Sequence, residues 1–205
     1  MRDTLHYYIT HHTARVSPAA VALCAAAVYF LDFYVLSSLL FAVAAHELGH
    51  VACLRAFGLD VRAVSVGAGG LCIDYRGECG ALAHALAAAA GPAAGIAYTY
   101  LCSYLGVHLR LAWLQLGAGI SLILSLYNLL PVMPLDGGRI FAAVASALIG
   151  EKGGGALAAM LSAAVCAILL MLGVRLFARS CGAGLLIAAI CLIHASCKEC
   201  ARRGY

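Results

Sequence analysis

An all-α polytopic membrane protein is the fold class this sequence predicts, with about six transmembrane helices and a short re-entrant or β-hairpin segment after the second. Composition is the first reason. Hydrophobic residues make up 64% of the 205 and charged residues only 11%, where a typical soluble domain has roughly 45–50% and 25%. Mean hydropathy is +0.98, so too little polar surface is available to cover the chain in water. The second reason is arrangement: the apolar residues gather into runs near the roughly 20 residues that cross a bilayer. The third is charge placement, described below.

The runs, in order, are Pro18–Leu31, Tyr34–Phe57, Ala81–Leu105, Leu111–Pro131, Ala156–Phe177 and Cys181–Ser196. The first is short but extendable. With the N-terminus in the cytoplasm and six crossings, Arg2, Arg15, Arg55, Arg62, Arg76, Arg139, Lys152, Lys198, Arg202 and Arg203 fall inside. Only Arg110, Arg175 and Arg179 fall outside, which is the asymmetry of the positive-inside rule. Both termini are then cytoplasmic. The expectation is one membrane-embedded domain over residues 1–205, with a polar tail at 1–17 and a short cytoplasmic tail at 197–205. No cleavable signal peptide is expected, because the apolar run after Pro18 lacks a small-x-small cleavage pattern. An integral protein of a bacterial cell membrane fits these features.

Two segments interrupt the pattern. Val64–Tyr75 is glycine-rich in its middle and β-prone on both sides, and too short to cross. It reads as a hairpin or re-entrant loop at the cytoplasmic border. Gly150–Gly155, with Glu151 and Lys152, reads as a short flexible connection.

Composition also excludes some partners. The formal net charge is +4, carried by basic residues spread singly or in pairs without interleaved aromatics, so nucleic acid is not an expected partner. Most of the ten cysteines lie in apolar runs, where cysteine behaves as a small hydrophobe rather than as part of a disulfide framework. Cys197 and Cys200 form a CxxC pair in the tail without a second pair to complete a metal site.

The chemistry concentrates in His46-Glu47-Leu48-Gly49-His50, an HExxH motif inside the second run. Residues four apart share one helix face, so His46 and His50 can reach one metal ion. Glu47, rotated about a quarter turn, can serve as general base toward water. Ionisable groups in an apolar helix are costly, about 2.5–3.5 kcal/mol for a charge at a helix centre, and three together call for a role. Zinc with two histidines wants a third protein ligand and an open position. Asp32 reads as a solvated turn residue, and Asp60 and Asp74 flank the re-entrant segment. Asp136 follows Asn128-Leu-Leu-Pro131-Val-Met-Pro134-Leu. Two prolines three apart unwind a helix, and unwound backbone at membrane depth belongs where it is buried in protein or lines a wet cavity. An Asp on such a stretch, with Gly137 and Gly138 allowing a tight turn, suits a metal.

The pair of motifs, HELGH and then N-x-x-P-x-x-P-x-D-G, resembles that of the site-2 protease family of intramembrane zinc metalloproteases, with the compact sporulation-factor subgroup as the nearest likeness. The resemblance covers roughly Tyr34 to Arg139. It implies one zinc per chain held by His46, His50 and Asp136, Glu47 as catalytic base, and Asn128 close by to position substrate or polarise its carbonyl. It implies hydrolysis of peptide bonds in membrane-associated protein substrates, with regulatory membrane proteins as further partners. Two features depart from the pattern. About nine residues follow the sixth run, so no nucleotide-sensing or PDZ-like domain is expected, and Gly95 stands in Gly91-Pro-Ala-Ala-Gly95 where an asparagine is common. The local physics of that stretch is close helix packing through small residues, with Pro92 bending the helix.

Competing readings are a metal transporter or sensor using the histidines, a silent membrane scaffold, and a zinc enzyme that cuts prenylated peptides. Transport leaves Glu47 beside His46 unexplained, and the intact His-Glu-His-Asp set argues against a scaffold.

Overall fold

The structure, a computed structural model, describes residues 15–16, 18–67, 70–76, 80–180 and 182–203. Most of the expected polar N-terminal tail lies outside the described residues, as do residues 68 and 69 of the expected hairpin. The described elements, in chain order, are β1 (Arg15–Val16), α1 (Pro18–Phe30), α2 (Phe33–Ala56), β2 (Asp60–Gly67), β3 (Gly70–Arg76), α3 (Ala81–His108), α4 (Ala112–Asn128), α5 (Asp136–Ile149), α6 (Glu151–Ala178) and α7 (Gly184–Arg203). The chain divides into two compact units, Met1–Cys79 with Ala90–Leu126, and Gly80–Ala89 with Tyr127–Tyr205.

Local rules explain where the elements begin and end. Pro18 opens α1, at the position where its missing N–H costs least. Asp32, extended at φ −62°, precedes α2. The end of α2 is a Schellman turn. Gly58 adopts φ +72°, its N–H bonds to Arg55 O, and Leu59 N–H bonds back to Leu54 O. Leu54 and Leu59 are both buried, the apolar contact that accompanies this motif. The chain leaves it directly into β2. Strands β2 and β3 pair antiparallel from Asp60↔Arg76 to Gly67↔Gly70, with an irregularity between Val61 and Ala63. β1 pairs parallel with β2 on its other side.

In the first unit the helices meet through small residues. A Cβ on Gly49 of α2 would strike the Ala90 carbonyl and Ala94 of α3. Ser121 of α4 donates to Gly95 O at 2.9 Å, and Thr99 donates to the same carbonyl at 3.0 Å. Ser38 of α2 donates to Trp113 O, and Cys102, Leu114 and Ala118 form an apolar cluster. In the second unit α5 packs on α6 and α6 on α7. Gly154 lies against the Ser146 backbone and Gly173 against Leu186. Such contacts bring backbones close where apolar burial alone gives little drive between helices in lipid.

Among the described residues, four helices are long and apolar enough to cross a membrane: Phe33–Ala56, Leu82–His108, Glu151–Ala178 and Gly184–Ala201. Between 17% and 33% of each most apolar stretch is buried, so large apolar side chains such as Phe41, Leu48, Met160 and Ile168 face outward. α1 has 13 residues and α4 has 17. At 1.5 Å per residue they reach about 20 and 25 Å, short of a roughly 30 Å hydrocarbon core. Four of the six expected crossings meet this criterion among the described residues. One helix was not foreseen: α5, of 14 residues, whose paired glycines and short length hide it from a search for long apolar runs.

Candidate metal centre

The first half of the site is built by helical periodicity. His46 and His50 lie four residues apart on α2, and their rings stand almost perpendicular, 79° between planes with centroids 4.9 Å apart. Their Nε2 atoms are 3.2 Å apart. A tetrahedral ion with zinc–nitrogen bonds of about 2.0 Å places two ligands about 3.3 Å apart, so the two nitrogens already have the spacing of one edge. His46 is 4% exposed; Glu47 and His50 are half-buried.

α3 shapes the pocket that holds His50. A Cβ built on Gly91 would land on the His50 imidazole, at Nε2, Cε1 and Cδ2. The absent side chain is therefore the space the ring occupies. The next residue, Pro92, is almost wholly buried and removes one amide from the helix ladder. Close packing at Gly91-Pro92 was legible in the sequence, whereas the partner of that packing was not.

The second half is built by an interruption. After Asn128 the chain runs through Pro131 and Pro134 before α5 begins at Asp136. The Met133–Pro134 peptide is cis. Val132 N–H bonds to Leu130 O and Leu135 N–H to Val132 O, which folds the stretch on itself. Val132 is fully buried and packs with Cys166 and Leu192, among Tyr127, Leu130 and Leu135. The glycines after Asp136 serve the first turn of a helix rather than the tight turn expected. A Cβ on Gly137 would strike the Leu129 and Leu130 carbonyls, and one on Gly138 the Val132 and Met133 backbone. Only glycines let α5 begin flush against its own loop. Asp136, 6% exposed, starts this helix, where an acidic side chain complements the helix dipole.

His46 and His50 belong to the first compact unit and Asp136 to the second. Two imidazoles and a carboxylate are a donor set that suits zinc, so the residues fit the ion the sequence implied. The other acidic candidates sit elsewhere in the sequence framework. Asp32 is exposed ahead of α2, and Asp60 and Asp74 are strand residues. Asn128 is the last residue of α4 and half-buried.

Comparison with known proteins points the same way. Residues 109–172 match the family model described as Peptidase family M50. A Synechocystis protein (strain ATCC 27184 / PCC 6803 / Kazusa), sll0528, provisionally named a zinc metalloprotease, is 34% identical over 128 residues. That alignment takes in 59% of this chain and 34% of the relative, so the chain spans about a third of that protein's length. The solved Site-2 Protease from Methanocaldococcus jannaschii superposes with a TM-score of 0.67 at 20% identity, over 88% of this chain and 85% of that one. Nothing in these matches singles out the sporulation subgroup. The chain has the fold of a site-2 protease and matches peptidase family M50 across the segment that carries Asp136.

Proposed function

We propose that this chain is an intramembrane zinc metalloprotease of the M50, site-2 type, which hydrolyses peptide bonds of membrane-associated proteins in or near the bilayer. The observation that carries the reading is the His46–His50 pair, its Nε2 atoms 3.2 Å apart with Glu47 next to the first of them, and Asp136 is the proposed third ligand. His46, His50 and Asp136 hold about one zinc per chain, leaving a position for water and substrate. Bound there, zinc supplies Lewis acidity toward the scissile carbonyl and makes water more acidic. Glu47 accepts a proton from the attacking water and returns it to the departing amine. Asn128 positions the substrate or hydrogen-bonds its carbonyl.

The membrane setting belongs to the same reading. It has α1 and α4 completing a six-crossing core, both termini in the cytoplasm, and the cell membrane of a bacterium as location. His50 lies seven residues before Phe57, about 10 Å along the helix, which is shallow enough for water to arrive from the cytoplasmic side. A substrate helix must unwind before attack, and an extended substrate pairing with the hairpin would hold it open. Regulatory membrane proteins are the expected further partners.

The test is a comparison of membrane proteomes from cells carrying the wild type and Glu47→Gln. Full-length precursors should accumulate, and their trimmed forms vanish, in the variant. Identical proteomes, with zinc flux into vesicles carrying the purified protein, would favour the transporter alternative.

A further inference from the structure

The stretch that presents Asp136 has few ways to be held. Two of its residues, Pro131 and Pro134, have no amide hydrogen. The Leu130, Val132 and Leu135 amides bond to Tyr127 O, Leu130 O and Val132 O, all within or next to the stretch. Met133 differs, because its N–H donates to Ser162 Oγ, 29 residues away on α6, at 3.0 Å. Ser162 is 1% exposed and Met133 4%, so no water stands ready to replace that bond.

The serine is itself fixed. Its hydroxyl donates to Ala158 O, one turn back, at 2.8 Å. With its one hydrogen committed there, its lone pairs face the Met133 amide. A serine bonded only to its own helix does nothing beyond the helix. Ser162 does that and also holds a non-helical backbone three residues before a metal-ligand candidate. The same stretch packs Val132 against Cys166, one turn further along α6, so the apolar contact and the hydrogen bond act on the same side of α6.

We propose that Ser162 is a positioning residue, which locks the Pro131–Leu135 stretch onto α6 and thereby sets the carboxylate of Asp136 for the metal. This deepens, and rests on, the zinc reading of the site. Groups that orient metal ligands from behind typically contribute about 10–100-fold in metal affinity, which sets the expected size.

The test uses the full chain in detergent micelles, with zinc ion as the probe. Zinc affinity is read by competition with a chelating dye, and the melting temperature is read with and without zinc. Ser162→Ala should bind zinc about tenfold or more weakly than wild type and gain less melting temperature on zinc addition. Ser121→Ala removes a comparably buried hydroxyl that bonds Gly95 O, and should lower melting temperature while keeping wild-type zinc affinity. Ser162→Thr and Ser162→Val form a second pair of nearly equal shape, one with the hydroxyl and one without. Thr should retain the affinity and Val lose it, which keeps the question answerable if Ser162→Ala does not fold. Wild-type zinc affinity in Ser162→Ala or Ser162→Val would overturn the proposal, as would equal losses in Ser121→Ala and Ser162→Ala. Failure of the wild type itself to bind zinc would overturn the metalloprotease reading instead, before Ser162 comes into question.

Discussion

Two regions supply the candidate metal ligands, and they are made in opposite ways. His46 and His50 sit on an unbroken 24-residue helix, where the period of 3.6 alone puts them on one face. Asp136 sits where a helix has been interrupted by two prolines and restarted against its own loop. The first region is rigid because its backbone bonds are local. The second has few backbone bonds of its own and leans on packing: the buried Val132 and the Ser162 hydroxyl from afar, and glycines 137 and 138 set close against the loop before them. The difference teaches that identical ligand roles have different vulnerabilities. The helical pair should tolerate changes around it, apart from Gly49 and Gly91, while the Asp136 region should be sensitive to changes well away from the ligand.

Variants can break or sharpen this contrast. The largest effect on metal should come from Asp136→Ala. Loss of a ligand should exceed the roughly 10–100-fold typical of supporting groups, taking zinc measured by elemental analysis from about one per chain to nearly none. Retention of full zinc content there would remove Asp136 from the site. Gly137→Ala should come next. Its new methyl meets the Leu129 and Leu130 carbonyls, which are backbone and cannot rotate away. Overpacking of that kind costs about 1–3 kcal/mol, so melting temperature and zinc content should fall together.

Gly91→Ala should act on the helical half. The methyl takes the place of the His50 ring, so zinc affinity should drop about tenfold or more while helicity by circular dichroism stays close to wild type. Gly95→Ala, one turn along α3, meets chiefly the Ser125 hydroxyl and should leave zinc affinity unchanged. Equal effects of the two substitutions would mean that α3 packing, and not the His50 ring, is being measured. The smallest effect should come from Gly58→Ala. Forcing a side chain into φ +72° costs about 1–2 kcal/mol, visible in melting temperature with no change in zinc content.

The same contrast governs what could be read from the sequence. HExxH was legible because its geometry is local, fixed by spacing on one helix. Asp136 was legible because Pro131 and Pro134 announce an unwound stretch, and an acidic residue there is conspicuous among so few charges. Gly91 was legible as a packing residue, but its contact with His50 joins residues 41 positions apart in the chain, and spacing carries no trace of that. Ser162 carried no signal at all, being one hydroxyl in an apolar run. α5 was missed because a 14-residue helix beginning Asp-Gly-Gly is too short for a crossing, and its amphipathic pattern escapes a search for long apolar runs. The Schellman turn at Gly58, by contrast, follows from Phe57-Gly58-Leu59 closing an apolar helix.

In the function proposed above, His46, His50 and Asp136 hold a zinc ion with which Glu47 cuts peptide bonds. The most direct measurement pairs wild type with Glu47→Gln in proteoliposomes, against a membrane-anchored substrate drawn from the proteomic comparison. Zinc content and cleavage are followed in the same preparations. The expected result is about one zinc per chain in both, with cleavage lower in the variant by roughly 10²–10⁴-fold, the usual contribution of a general base. Equal cleavage by the two proteins would contradict the claim.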